Sequence, residues 1–310
     1  MQAQGLVVKI LLILQLLNWQ SVNLPASILK EILSNLNISS MSVKKVLVPV
    51  DFSDVTKVVV ETAALIAHEG KMDMTLLHIE NNKTSQEIKD IAENLIEETR
   101  LKWPVHIDFL LKKGNIFDDI SNVASDDQYK IMVIGSHGFK GLREKVFGVD
   151  ILKLLKNVPI PVVSVQKDFK LPEDAFKTIL VPVGSHKTFI NQIKSTMNFA
   201  SIFNSKVHLY SVEKPGVQWS DELKLNIKSA EEQFQKNNIH FEKVKEIQNS
   251  FSVGFSKQIM DYAQRQQISL ISIMANATKE LYYIADSDKV TMLTNKAFIP
   301  ILSSNEKTLN

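Results

Sequence analysis

Two segments of the chain spell nearly the same strand 133 positions apart, Val46-Leu47-Val48-Pro49-Val50 and Ile179-Leu180-Val181-Pro182-Val183. The same spacing carries Leu76–Glu80 (LLHIE) onto Leu209–Glu213 (LYSVE). Further along, Ile160-Pro161-Val162-Val163 matches Ile299-Pro300-Ile301-Leu302, now 139 positions apart. A register kept across three separated apolar runs marks an internal duplication. The step from 133 to 139 implies that the second copy gained about six residues in its middle.

One unit must therefore fold twice. In the first copy strands are expected near 44–50, 72–79, 104–111, 130–135 and 160–166, with helices between them. In the second they are expected near 177–183, 206–212, 239–245, 268–274 and 298–303. Ile131–Ile134 is a continuous apolar run, suited to a strand covered on both faces of a parallel sheet. Strands alternating with helices imply right-handed crossovers. The expected fold is α/β, two repeated doubly wound five-stranded parallel-sheet domains of Rossmann-like type. Domain one is placed at 41–167, a polar linker with Pro172 at 168–176, and domain two at 177–305. After Lys83, Thr84 and Glu87 form a capping box, and Ile88, Ile91, Ala92, Leu95 and Ile96 share the following helix's apolar face.

Residues 1–40 differ from the rest. Leu6–Leu17 is apolar but interrupted by Lys9 and Gln15, short of the roughly 20 residues that a membrane span needs. Met1-Gln2-Ala3-Gln4 lacks the basic start of a signal peptide. Met41, just before the first strand, reads as the natural start, with 1–40 an extension outside the fold. A native amphipathic or membrane-associating segment is the alternative. A net charge of +2 offers no basic stripe for nucleic acid. The absence of cysteine excludes disulfides, thiolate nucleophiles and Cys-bound metals. It agrees with a cytoplasmic location.

After the apolar run Ile131–Ile134 come Gly135, Ser136, His137 and Gly138; Gly148 follows before a helical pattern of Ile151, Leu152, Leu154 and Leu155. Glycines there permit positive φ and bring bare N–H groups to a ligand, and a helix N-terminus adds partial positive charge. This stretch resembles the glycine signature of the universal stress protein family, G-x-x-G, nine residues, then G-[Ser/Thr], in Gly135, Gly138 and Gly148. The Ser/Thr position holds Val149. The resemblance covers nearly all of 43–305, as a tandem member.

It implies an adenine nucleotide alpha hydrolase-like fold whose single-domain members dimerise through the last strand. In a tandem chain Ile160–Val165 can meet Phe298–Ser303 internally as a pseudo-dimer, with a further homodimer of whole chains open. It also implies an ATP site. Asp51 would lie by the ribose, Pro49 closes the strand leading to it, and the Ile79 backbone would face the adenine. The loop of Gly135, Ser136, His137, Gly138, Gly148 and Val149 would hold the phosphates.

The residues themselves leave this open. Asp51 suits a ribose, because a carboxylate accepts hydrogen bonds from hydroxyls, and equally suits a helix N-cap for the segment from Val55. Val149 forfeits one hydroxyl hydrogen bond, about 1 kcal/mol. Asp150 in the first helical turn would repel phosphate unless Mg²⁺ intervened. Lys140, Arg143 and Lys145 offer compensating charge or form a solvated loop. His137 reads as a turn residue and His78 as a packed core residue, and no metal-ligand spacing surrounds them.

In copy two Asp51 becomes Gly184, and the glycines become Met274, Ala277 and Ser287, with Asp286 and Asp288 alongside. That copy is expected to have lost phosphate binding and to keep its pocket for another role. Three readings follow: a non-enzymatic stress-response protein binding a nucleotide or a protein partner, a ligand-free interaction scaffold, or an ATP-using enzyme. The last lacks a Walker loop, a Ser-Gly-Gly loop and any convergent acid–base set, so no catalytic and no metal residues are assigned.

Overall fold

In the computed structural model the residues described are 43–80, 85–136, 147–213, 215–216, 218–247, 255–276 and 285–308, with the backbone alone at 85 and 147–150. Five strands and four helices alternate in the first half. They are β1 (Lys45–Pro49), α1 (Thr56–Gly70), β2 (Asp73–Glu80), α2 (Ser85–Lys102), β3 (Ile107–Lys113), α3 (Ile116–Ala124), β4 (Tyr129–Gly135), α4 (Phe147–Leu155) and β5 (Val162–Val165). The second half repeats the series as β6 (Thr178–Pro182), α5 (Phe189–Phe203), β7 (Lys206–Glu213), α6 (Asp221–Lys236), β8 (Phe241–Ile247), α7 (Phe255–Arg265), β9 (Leu270–Met274), α8 (Asp286–Leu293) and β10 (Ile301–Ser304).

The duplication is visible in the backbone. Both bounds of β1, α1 and β2 recur 133 positions later, and those of β5 recur 139 later. The change of offset falls mostly between β8 and α7, where 248–254 lie outside the described residues. Even the helix stop is repeated. Lys71 and Asn204 close α1 and α5 in the left-handed conformation, with φ of 52° and 50°. Asparagine tolerates that region better than lysine does, since its short polar side chain bonds locally.

Strand bounds differ from the sequence expectation most at β3, which opens at Ile107 instead of 104. Pro104 has no N–H to give to a ladder, and the first pair with β2 is Met74↔Ile107. In α2, Ile88 and Ala92 are buried, whereas Ile91, expected on the same face, is 40% exposed. Thr84, and with it the proposed capping box, lies outside the described residues.

All ten strands belong to one sheet, ordered β3-β2-β1-β4-β5-β10-β9-β6-β7-β8. Every pair is parallel except β5 with β10, which run antiparallel in the register Ile301↔Ser164, Leu302↔Val163 and Ser303↔Val162. Two strands of four buried residues each thus cover one another, where either alone would leave an apolar edge. Side chains cross this seam as well. Asn305 Nδ2 donates to the carbonyls of Leu155 (2.7 Å) and Val158 (2.6 Å), and Gln166 Nε2 donates to Asn295 O at 2.7 Å.

Alternate residues of each strand point to opposite faces, so the sheet carries two cores. Val46, Val48, Ile179 and Val181 share one with α1, α2, α5 and α6. Leu47, Met132, Leu180 and Ile271 share the other with α3, α4, α7 and α8. Both cores run unbroken across the seam, and the chain from Lys44 onward forms one compact unit. No helix among the described residues is long and apolar enough to cross a membrane.

Candidate functional site

In each half the strand order reverses beside the first strand: β1 lies between β2 and β4, and β6 between β7 and β9. Crossovers leave to opposite faces there, so the carboxyl ends of the two central strands open a crevice. In the first half those ends carry Pro49, followed by Asp51, and Gly135, followed by Ser136. Ile79 stands beside them near the end of β2, buried and in register with Lys112.

The loop after β1 is built by short-range bonds. Val50 N donates to Leu77 O at 2.8 Å, extending the ladder by one residue. Asp51 Oδ1 accepts from Ser53 N at 2.9 Å, closing a turn over Phe52, whose φ is 55°. Asp51 is therefore not the helix N-cap. α1 begins at Thr56, its N-cap is Val55, and valine has no oxygen with which to cap. His78 differs from its expected role in the core. It is half-buried, and its Nδ1 lies 2.8 Å from Val50 O while its ring packs 5.1 Å from Phe52. It braces the loop that carries Asp51.

Gly135 has a packing reason for being glycine. A Cβ there would come within 2.7 Å of Val55 Cγ1, so the N-terminus of α1 approaches the tip of β4 as closely as a bare Cα allows. Its φ lies outside the left-handed range, contrary to the reading of this glycine as a positive-φ turn. Ser136 N donates to Val165 O at 2.8 Å, continuing the ladder to β5. Its hydroxyl, in a residue only 1% exposed, has no hydrogen-bond partner among the described residues. His137, Gly138, Lys140, Arg143 and Lys145 lie outside the described residues. Gly148 and Val149 sit in the first turn of α4, where the backbone alone is described, as it is at Asp150.

The second half keeps the frame and changes the contents. Val183 N donates to Tyr210 O at 2.8 Å, the counterpart of the Val50–Leu77 bond. Gly184 replaces Asp51, and its carbonyl is tied by Asn226 of α6, whose Nδ2 also reaches His186 O (2.7 and 3.0 Å). Beyond β9, the fully buried ammonium of Lys289 donates to Ala275 O (3.2 Å) and Asn276 O (2.5 Å), and lies 3.5 Å from Asp286 Oδ1. Lys289 occupies the position of Asp150, 139 residues later.

Burial lowers its pKa to about 8, and burial followed by the Lys289 charge lowers that of His186 to about 3. The expectation of an open second pocket is corrected accordingly, because this crevice is filled by the chain's own cation. Asp286 and Asp288 are likewise engaged. Asp286 pairs with Lys156 of α4 at 2.6 Å, and Asp288 accepts from Ala285 N (3.0 Å) and Ser256 Oγ (2.6 Å). Met274, in place of Gly135, is wholly buried, and Ala277 lies outside the described residues.

Sequence reasoning missed Lys289 and Asn226. A lysine in an amphipathic helix looks solvated until the strand tips are placed over it. No His, Asp or Glu cluster of metal-binding kind occurs among the described residues.

Residues 42–166 match the universal stress protein family model. No curated protein matches the chain. Among solved structures, a universal stress protein from Archaeoglobus fulgidus is similar over 84% of this chain and 98% of its own, with a TM-score of 0.62 at 16% identity. A functionally unknown protein from Pseudomonas aeruginosa covers 85% and is itself covered to 93%, with a TM-score of 0.57 at 18% identity. The cytoplasmic domain of a prokaryotic cation chloride cotransporter covers 86% and is covered to 97%, with a TM-score of 0.50 at 11% identity. Neither half alone could fill such a share, so the shared fold extends over both.

Proposed function

Taking residues 42–166 as a universal stress protein domain, we propose that the chain is a non-enzymatic stress-response protein that binds ATP or a related nucleotide in its first half alone. The observation that carries this reading is the buried hydroxyl of Ser136 at the switch point, which has no hydrogen-bond partner among the described residues. Leaving such a group without a partner costs about 1–3 kcal/mol, a cost that a ligand oxygen would remove. Asp51 supports it, since its place at the tip of β1 suits the hydroxyls of a ribose.

The second half acts as a scaffold in this reading. Its counterpart of Ser136 is Ala275, and Lys289 already supplies the positive charge there. Mg²⁺ would accompany a triphosphate, offsetting the carboxylates of this half. No group is assigned a catalytic role.

Thermal unfolding with and without ATP and Mg²⁺ tests the proposal. Ligand at 100 times its dissociation constant should add about 2.7 kcal/mol of stability. That gain should vanish in Gly138→Glu. Absence of any shift at millimolar ATP would leave the protein as a ligand-free interaction scaffold, and turnover abolished by Asp51→Asn would make it an enzyme.

A further inference from the structure

The sheet ends at β3 on one side and at β8 on the other. The duplication makes these edges equivalent, since the pair Met74↔Ile107 recurs as Val207↔Phe241. Each has one neighbouring strand and, among the described residues, none on its other side. The ladders decide which backbone groups face outward. His106 O accepts from Met74 N at 2.8 Å, so the N–H and C=O groups of residues 108, 110 and 112 turn to β2. Those of Ile107, Phe109 and Leu111 turn to the edge, where Arg100 Nη2 donates to Ile107 O at 3.0 Å. On β8, His240 O accepts from Val207 N at 2.8 Å, which turns Lys243, Lys245 and Ile247 outward. Gln258 Nε2 donates to that outward Ile247 O at 3.2 Å.

The two edges differ in what a second copy of the chain would meet. Strands related by a two-fold axis set a central residue against itself and pair its flanks crosswise. The middle of β8 is Lys243-Val244-Lys245. Pairing about Val244 sets Lys243 against Lys245 and Glu242 against Glu246, and like charges directly opposite destabilise a sheet. β8 therefore rejects its own kind. The middle of β3 is Phe109-Leu110-Leu111, uncharged and only partly buried. Pairing about Leu110 sets Phe109 against Leu111 and Asp108 against Lys112, opposite charges on one face.

We propose that β3 is the edge on which a second copy of this chain docks, antiparallel about Leu110, so that two ten-stranded sheets become one. Phe109 and Leu111, whose backbone faces outward, exchange both hydrogen bonds across the axis. Asp108 and Lys112 form the non-hydrogen-bonded pairs, where side chains lie closest. Asp108 holds Lys45 at 2.5 Å and His106 at 3.0 Å, yet its side chain is 40% exposed, and a carboxylate accepts further donors. The chain already uses an antiparallel join of this kind between its own halves, at β5 and β10. The inference does not rest on nucleotide binding.

Sedimentation equilibrium of the full chain at micromolar concentrations tests it. The mass should approach twice 35.0 kDa. Leu111→Pro removes an N–H that β2 does not use, so it should keep the fold and leave a 35.0 kDa monomer. Lys245→Pro, the same change on β8, should leave the dimer whole. Lys112→Glu sets carboxylates opposite Asp108 at both ends of the interface and should raise the dimer's dissociation constant about tenfold. Circular dichroism checks that each variant is folded. Should Leu111→Pro lose its structure, Lys112→Glu decides alone.

A monomer at every concentration would overturn the proposal. So would a dimer indifferent to both β3 variants, or one that Lys245→Pro dissolves.

Discussion

At the tip of the first half's sheet the buried hydroxyl of Ser136 has no partner among the described residues, while at the tip of the second a buried ammonium donates to two carbonyls. The frames beneath are alike, down to a 2.8 Å bond from the residue after the first strand to the strand beside it. Duplicated units thus keep what their sheet needs and diverge where no ladder constrains them. The direction of divergence is informative. Lys289 and Asn226 tie down four carbonyls around the second crevice, those of Ala275, Asn276, Gly184 and His186. The first crevice has no such internal cation among the described residues, and the Ser136 hydroxyl beside it is buried with no partner among them.

The comparison can be broken most forcefully with acid. His186 is held neutral by burial, so above pH 6.5 it contributes no proton-linked change. Below that the unfolded chain takes up a proton that the folded one refuses until about pH 3. Stability should therefore fall by about 1.4 kcal/mol per pH unit on account of this residue. Denaturant titrations of wild type and His186→Asn between pH 7 and 4 should diverge with that slope; its counterpart, Ser53, has no proton to exchange. Parallel curves would mean that the second crevice admits water.

Removing the internal cation should come next. Lys289→Met strips donors from two carbonyls and is expected to cost about 3 kcal/mol at pH 7 by urea unfolding. Its titration has the opposite window. The folded group loses its proton near pH 8 and the unfolded one near 10.5, so the unfolded chain binds more protons in between and stability rises with pH there. That rise should be missing in the variant.

A smaller loss is expected on the other side of the molecule. Gly135→Ala drives a methyl into Val55 and should cost about 2 kcal/mol. Gly135→Ala with Val55→Ala should recover most of it. Full stability in the single variant would show that the two tips do not touch as described.

The seam gives the finest discrimination. Asn305 satisfies two carbonyls of the first half and Gln166 one of the second. Asn305→Ala should then cost about 2 kcal/mol and Gln166→Ala about 1. Equal costs would mean that the halves grip one another symmetrically despite the unequal bonds.

Much of this architecture is legible in the chain. Repeated V-x-V-P-V-type strands fix the number of units, and the apolar runs fix a sheet covered on both faces. What lay at the tips was read less well. Gly135 looks like a ligand-facing turn because glycine is ambiguous between conformational freedom and close packing, and only the position of Val55 decides. Asp51 looks equally suited to a helix cap because the start of α1 shifts by a few residues with the turn that Ser53 closes. Ile91 looks like a core residue because a helical face has no sharp border.

The sequence by itself determined the repeat, the alternation of strands and helices, the parallel double-wound order and the likeness to universal stress proteins, all properties of local pattern and spacing. Tertiary structure alone decided that the two halves join through antiparallel β5 and β10, that Lys289 fills one crevice, and that the buried hydroxyl of Ser136 at the other has no partner among the described residues. Those outcomes depend on which groups, from 13 positions apart for Lys289 and Asn276 to 147 for Asn305 and Val158, arrive within about 3 Å of each other, the range over which a hydrogen bond acts. No local pattern carries that information, because burial and partnership are properties of the packed chain.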